Sequence, residues 1–228
     1  MPLDSEKIIT HYDLYKSYGE FNFLFEDTIQ EYRLLIIAVI RMSYEYFEEE
    51  DDEQNELPYS KQDRLLKIMM NNMGAKELVE NCKACFCDFL NNQKGKHGSY
   101  IFRWFEEEIH ISQESYDFAM AVFKKTLQLI ELRNVVIHSH YSESLSIPEM
   151  RRDNLSGEKD IRSGKGYELR NFTFEVKQLE EINDQIQALQ FMLFKIKNLL
   201  FSTEEQKENY TEELEQLKGI NFGIKFNE

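Results

Sequence analysis

The chain has 228 residues, and 42 acidic against 27 basic side chains give it a formal charge of −15 at pH 7. At about 150 residues per domain this is one elaborated domain or two small ones, long enough to bury a core without metal or disulfide staples. The acidic balance excludes a general nucleic-acid coat, which needs a basic surface to displace counterions, and an anchor on anionic lipid, but it allows a small basic cleft on an acidic body.

Nine glycines and three prolines in this length predict long helices rather than many short strands. Residues 5–16 read as a short amphipathic helix through Ile8, Ile9, Tyr12 and Tyr15. A second, longer helix is predicted from about Ser17 to Phe47, with Leu24, Phe25, Ile29, Tyr32, Ile36, Val39 and Ile40 at three- and four-residue steps. The longest apolar run, Leu34 to Ile40, is too short to cross a bilayer and marks a buried helix segment. Residues 48–56 follow with seven acids and no base, either a solvated loop or an acidic patch for a basic partner.

Ser60 is a candidate cap for the next helix, Leu65, Leu66, Ile68, Met69 and Met73 its apolar side, and Gly74 its stop. Residues 75–91 predict a helix with Leu78, Cys82, Cys85 and Phe89 on one stripe, and residues 93–104 a basic loop. Ser112 is placed to cap a helix running to about His138. Pro148, Gly157, Gly164 and Gly166 break the helical pattern between 142 and 172, where Leu145–Arg152 and Tyr167–Phe174 are candidate strands of a hairpin joined by a flexible loop. Helical periodicity returns from Val176 to Phe201, and a charged helix is expected from about Thr203 to Lys218. Ile220, Phe222, Ile224 and Phe226 then alternate at period two, a strand signal that could add to the hairpin or to another chain.

The chemistry concentrates in Glu131-Leu132-Arg133-Asn134-Val135-Val136-Ile137-His138-Ser139-His140-Tyr141. On a helix, Asn134 and His138 lie about 40° apart and Arg133 and His138 about 140° apart. Arg133 and His138 converge only if the arginine reaches around, if the helix ends near His138, or if a second copy completes the site. Arg133 sits among apolar neighbours, where a guanidinium needs a partner.

Arg133-Asn134-x-x-x-His138 at the end of an amphipathic helix resembles the signature of the HEPN superfamily of helical ribonucleases. Tyr18-Gly19-Glu20-Phe21-Asn22-Phe23-Leu24-Phe25-Glu26 is similar to the aromatic-plus-Glu first helix of many of its members. The resemblance is sharp over 133–138 and loose over 17–201. It implies a mainly α fold: a HEPN-like bundle of long antiparallel helices, dimeric through facing motif helices, with a small β-hairpin insertion after the motif helix. It also implies metal-independent RNA cleavage without a cofactor, in a toxin or antiphage-defence setting, and some members only bind nucleic acid or a partner. In one toxin branch a Tyr stands two residues after the motif His and is modified by an antitoxin; here that position is His140 and Tyr141 follows, which puts such control in doubt.

The residue types suit the reaction. Cleavage by the substrate's own 2′-OH needs a proton acceptor, a proton donor for the leaving 5′-oxygen, and a cation for the phosphate. Histidine titrates near neutrality and arginine presents a two-pronged donor. Arg133, Asn134 and His138 are therefore the expected catalytic set, with His140, Tyr141 and Glu26 as auxiliaries. The run 151–170 carries six bases and four acids, and Arg151, Arg152, Arg162 and Lys165 are candidate RNA contacts. Lys94, Lys96, Arg103 and Trp104 mix bases with an aromatic, although a core place suits Trp104 better. Cys82-x-x-Cys85-x-Cys87 with His97 falls short of a structural zinc pattern, and no metal is expected.

The expected organisation is a single helical domain over 1–228. Its bundle core comprises 17–141 and 176–201, with 142–175 as the insertion and 202–228 as a C-terminal helix and tail. The absence of an export signal and the three cysteines predict a cytoplasmic protein with reduced thiols. The expected partners are RNA, a second copy in a homodimer and a regulatory protein, without a membrane.

Overall fold

The computed structural model describes residues 11–43, 68–93, 99–102, 107–110, 113–138, 140–141, 154–163, 166–199, 210–223 and 226–227. Among them the chain is mainly helical. The helices are α1 (His11–Ser43), α2 (Ala75–Gln93), α3 (Gln113–His138), α4 (Val176–Leu199) and α5 (Thr211–Gly219). The strands are β1 (Ser99–Phe102), β2 (Glu107–His110), β3 (His140–Tyr141), β4 (Asn154–Ser163), β5 (Gly166–Glu175) and β6 (Phe226–Asn227). The chain divides into two compact units, one of residues 1–26, 128–188 and 221–228, the other of 27–127 and 189–220.

The first unit holds the start of α1, the end of α3, the first half of α4 and a four-stranded sheet in the order β3-β4-β5-β6. The break predicted near Ser17 is absent, and α1 runs through it. The reason is that Leu14, Ser17, Phe21 and Leu24 form one buried row at helical spacing, so Ser17 continues the stripe instead of capping a new helix. Its carbonyl oxygen accepts a hydrogen bond from Asn183 Nδ2 at 3.0 Å. Leu179, Ile182 and Ile186 from α4 and Leu129, Leu132 and Val136 from α3 are buried alongside.

The sheet rests on ten register pairs between β4 and β5, from Asn154↔Glu175 to Ser163↔Gly166. The flexible loop expected over the residues that form β4 is strand instead, while Tyr167–Phe174 lie in β5 as expected; residues 145–152 lie outside the described set. Backbone pairing outweighs the poor strand propensity of Gly157, Lys159 and Asp160, because alternate residues of the ladder satisfy their N–H and C=O across it. The tail is also only partly the strand that period two suggested. Ile220 and Phe222 are buried and Asn221 and Gly223 exposed, but 220–223 form no strand. Among the described tail residues Phe226 and Asn227 pair, with Phe172 and Asn171 of β5, and Ile224 lies outside the described set. Asn221 N–H donates to Gln185 Oε1 at 2.9 Å.

The second unit is built around aromatic side chains. Tyr32 and Phe123 lie 5.7 Å apart between ring centroids, Phe86 and Phe123 meet edge to face at 5.8 Å, and Phe118 stacks on Tyr210 at 4.6 Å. Tyr32 Oη bonds Thr126 Oγ1 at 2.7 Å, and burial pushes this phenol well above its ordinary pKa. Lys195 pairs with Glu213, Lys197 with Glu31, and Lys125 donates to the carbonyl of Ile220.

Gly74 does stop the turn at 68–71, and its carbonyl also accepts the Leu78 N–H at 2.9 Å, so it opens α2 as well. Ile68 and Met69 are exposed rather than on the apolar side, where Met70 takes the buried place; Leu65 and Leu66 lie outside the described residues. The buried stripe of α2 is Leu78, Val79, Cys82 and Phe86, with Cys85 rotated to its margin. Part of the predicted basic loop is strand, since β1 pairs antiparallel with β2 from Ser99↔His110 to Phe102↔Glu107. The signal available for β1 was Tyr100-Ile101-Phe102, an aromatic and β-branched run.

Candidate functional site

The end of α3 carries the Arg-Asn-x-x-x-His run. Leu129, Leu132, Val135 and Val136 are buried and fix the rotation of the helix. That rotation leaves Asn134 exposed and Arg133 at the margin, its side chain 25% exposed. His138 is the last residue of the helix, four residues beyond Asn134 along the same helical row; its side chain lies outside the described set.

Two neighbouring residues of α1 hold Arg133. Its Nη2 stands 3.8 Å from Glu26 Oε1, and its Cζ lies 5.2 Å from the centre of the Phe25 ring. Phe25 is buried and supplies an apolar floor that attracts the cation through its π face. Glu26 is 62% exposed, and its contact is a single atom pair beyond hydrogen-bond length. Such a pair is worth about 0–1 kcal/mol, because water competes for both charges. Here the structure brings Glu26 to Arg133. In sequence Phe25 falls among the apolar steps of the helix, and its place directly before Glu26 is the available clue.

The remaining candidates are placed by backbone register. β3 begins two residues after α3 ends, with His140 opposite Glu158 and Tyr141 opposite Gly157. Arg162 lies in β4 opposite Tyr167. Arg151, Arg152 and Lys165 lie outside the described residues, as do Lys94, Lys96, His97, Arg103, Trp104, the capping Ser60 and Ser112, and the acidic run 48–56.

The three cysteines are free thiols. Cys82 is buried and its thiol is pushed up by desolvation. Cys87 Sγ lies 3.7 Å from Tyr116 Oη and 3.9 Å from Met120 Sδ, and this contact raises the Tyr116 phenol. Among the described residues no group of three His, Cys, Asp or Glu side chains could hold a metal ion, and no helix is long and apolar enough to cross a membrane.

No protein-family model matches the chain, and neither the curated proteins nor the solved structures compared with it give a match.

Proposed function

We propose that the chain is a metal-independent endoribonuclease of the HEPN type, which cuts RNA through attack of the substrate's 2′-OH. The observation that carries this reading is the placing of Arg133, Asn134 and His138 in the last six residues of α3, with the Arg133 guanidinium seated on Phe25 beside an exposed carboxylate. A guanidinium at a solvent margin, seated on an aromatic face and 3.8 Å from an exposed carboxylate, presents planar donors suited to a phosphate.

In this mechanism Arg133 binds the scissile phosphate and stabilises the charge that builds on it. His138 transfers the proton, and Asn134 supports either group. A second copy of the chain completes the site by bringing another Arg133 and His138 into one cleft. Because the nucleophile belongs to ribose, DNA binds without being cut. A toxin or defence role under a regulatory partner, within the cytoplasm, is the setting that the resemblance suggests.

The test is single-stranded RNA incubated with purified protein in excess chelator. Wild type should cut, and His138→Ala and Arg133→Ala should lose at least about 100-fold in rate. Equal cutting by wild type and His138→Ala removes the enzyme reading.

The alternative is a non-catalytic binding module controlled by a partner. Its sequence support included the alternating tail as a free docking strand. The burial of Phe222 and the pairing of Phe226 with Phe172 use that tail within the chain.

A further inference from the structure

The start of α1 exposes three large aromatic side chains: Tyr12 is 74% exposed, Tyr15 72% and Phe23 70%. Leu14, Phe21, Leu24 and Phe25 of the same stretch are buried, so packing does not explain rings this open. Tyr12 and Phe23 are eleven residues apart, as are Tyr15 and Glu26. Eleven residues make three turns to within about 20°, so each pair lies on one line along the helix. The two lines are about 60° apart, and Gly19 lies between them. A Cβ at Gly19 would meet nothing within 4 Å, so the space between the rings is open.

The row leads to the candidate site. Along the helix axis Phe23 is about 4.5 Å from Glu26, Tyr15 about 16 Å and Tyr12 about 21 Å. Glu26 is the residue paired with Arg133. A phosphate held at Arg133 thus has exposed aromatic rings at increasing distance along α1, over the length of a few nucleotides.

We propose that Tyr12, Tyr15 and Phe23 form a stacking rail for the unpaired bases of a single-stranded nucleic acid whose phosphate sits at Arg133. This rests on the ribonuclease reading for the phosphate position, and it adds the strandedness of the substrate. The charges on this stretch decide how the strand is held. Asp13, Glu20 and Glu26 outnumber Lys16, so counterion release contributes little. Stacking on an aromatic face tolerates any base, and it has to offset the repulsion between these acids and the strand's phosphates.

The experiment is fluorescence anisotropy with a labelled single-stranded oligodeoxynucleotide of about 12 nucleotides, which stacks as RNA does and cannot be cut by 2′-OH attack. Tyr15→Ala and Phe23→Ala should each weaken binding about tenfold, and Phe23→Trp should restore it. Affinity should fall only shallowly with salt, and duplex of the same sequence should compete poorly. Unchanged binding in the alanine variants, duplex competing as well as single strand, or a change in solution mass with binding unaltered would overturn the rail; the last result would assign the face to self-association. The helical circular dichroism of the variants should match wild type, since the rings are exposed. If RNA is not cut but the alanine variants still lose the strand, only the cleavage reading falls.

Discussion

Tyr32 and Thr126 offer a perturbation whose sign depends on which hydroxyl donates. Thr126 Oγ1 donates to the Val122 carbonyl at 3.1 Å, so the 2.7 Å contact must be donated by Tyr32. Both residues are fully buried. Tyr32→Phe removes the donor and leaves Thr126 still bonded to Val122, losing only one acceptor contact, at about 1 kcal/mol. Thr126→Val removes the acceptor and leaves a phenol O–H buried without a partner, at about 2–3 kcal/mol. The double variant has no orphan, so it should cost less than the sum of the two by about 1 kcal/mol. Urea unfolding followed by far-ultraviolet and tyrosine circular dichroism measures all three. The phenol stays protonated because burial raises its pKa, so the ordering should be the same at pH 6 and pH 8. A Tyr32→Phe variant as destabilised as Thr126→Val would refute the assigned donor direction.

Two further expectations test the packing within each unit. Lys195 holds the Glu213 carboxyl below the ordinary carboxylate range, so ionised Glu213 stabilises the fold above a pH of about 4.3, and the contribution is lost as pH falls through the lowered folded value. Glu213→Gln should therefore destabilise the fold at pH 7 in urea unfolding, by on the order of 1 kcal/mol, and the gap from wild type should close as acid protonates the carboxyl. Phe222 is 2% exposed, so Phe222→Ala should cost about 3–4 kcal/mol in thermal or urea unfolding, whereas a tail free to capture a partner would tolerate it.

The candidate site was legible in part. Spacing put Asn134 and His138 on one helical row and left Arg133 to find a partner elsewhere. Helix periodicity is local, so it is readable from neighbours along the chain, and α3 ends at His138, where the apolar pattern also ends. The partner of Arg133 lies 107 positions away, and no local pattern measures such a distance. Glu26 could be named from a resemblance, but its 3.8 Å approach could not. The exposed rings illustrate the same limit. Tyr12 and Tyr15 read as apolar residues of an amphipathic helix, because periodicity shows that a stripe exists without showing which side meets the core; Phe23 enters only through the resemblance.

The acidic composition was the first property to restrict function, and it still sets how any strand is held, since net charge is a sum that folding does not alter. The sequence by itself also determined that long helices dominate, because few glycines and prolines interrupt regular three- and four-residue apolar steps. Tertiary structure decided what depends on contacts across the chain. Leu14, Ser17, Phe21 and Leu24 share one buried row, so α1 crosses Ser17 unbroken. Residues 154–163 gain ten backbone partners in β5 and become strand despite their composition. Register is a pairing between distant segments, and burial is set by what covers a face; neither quantity exists until the segments meet.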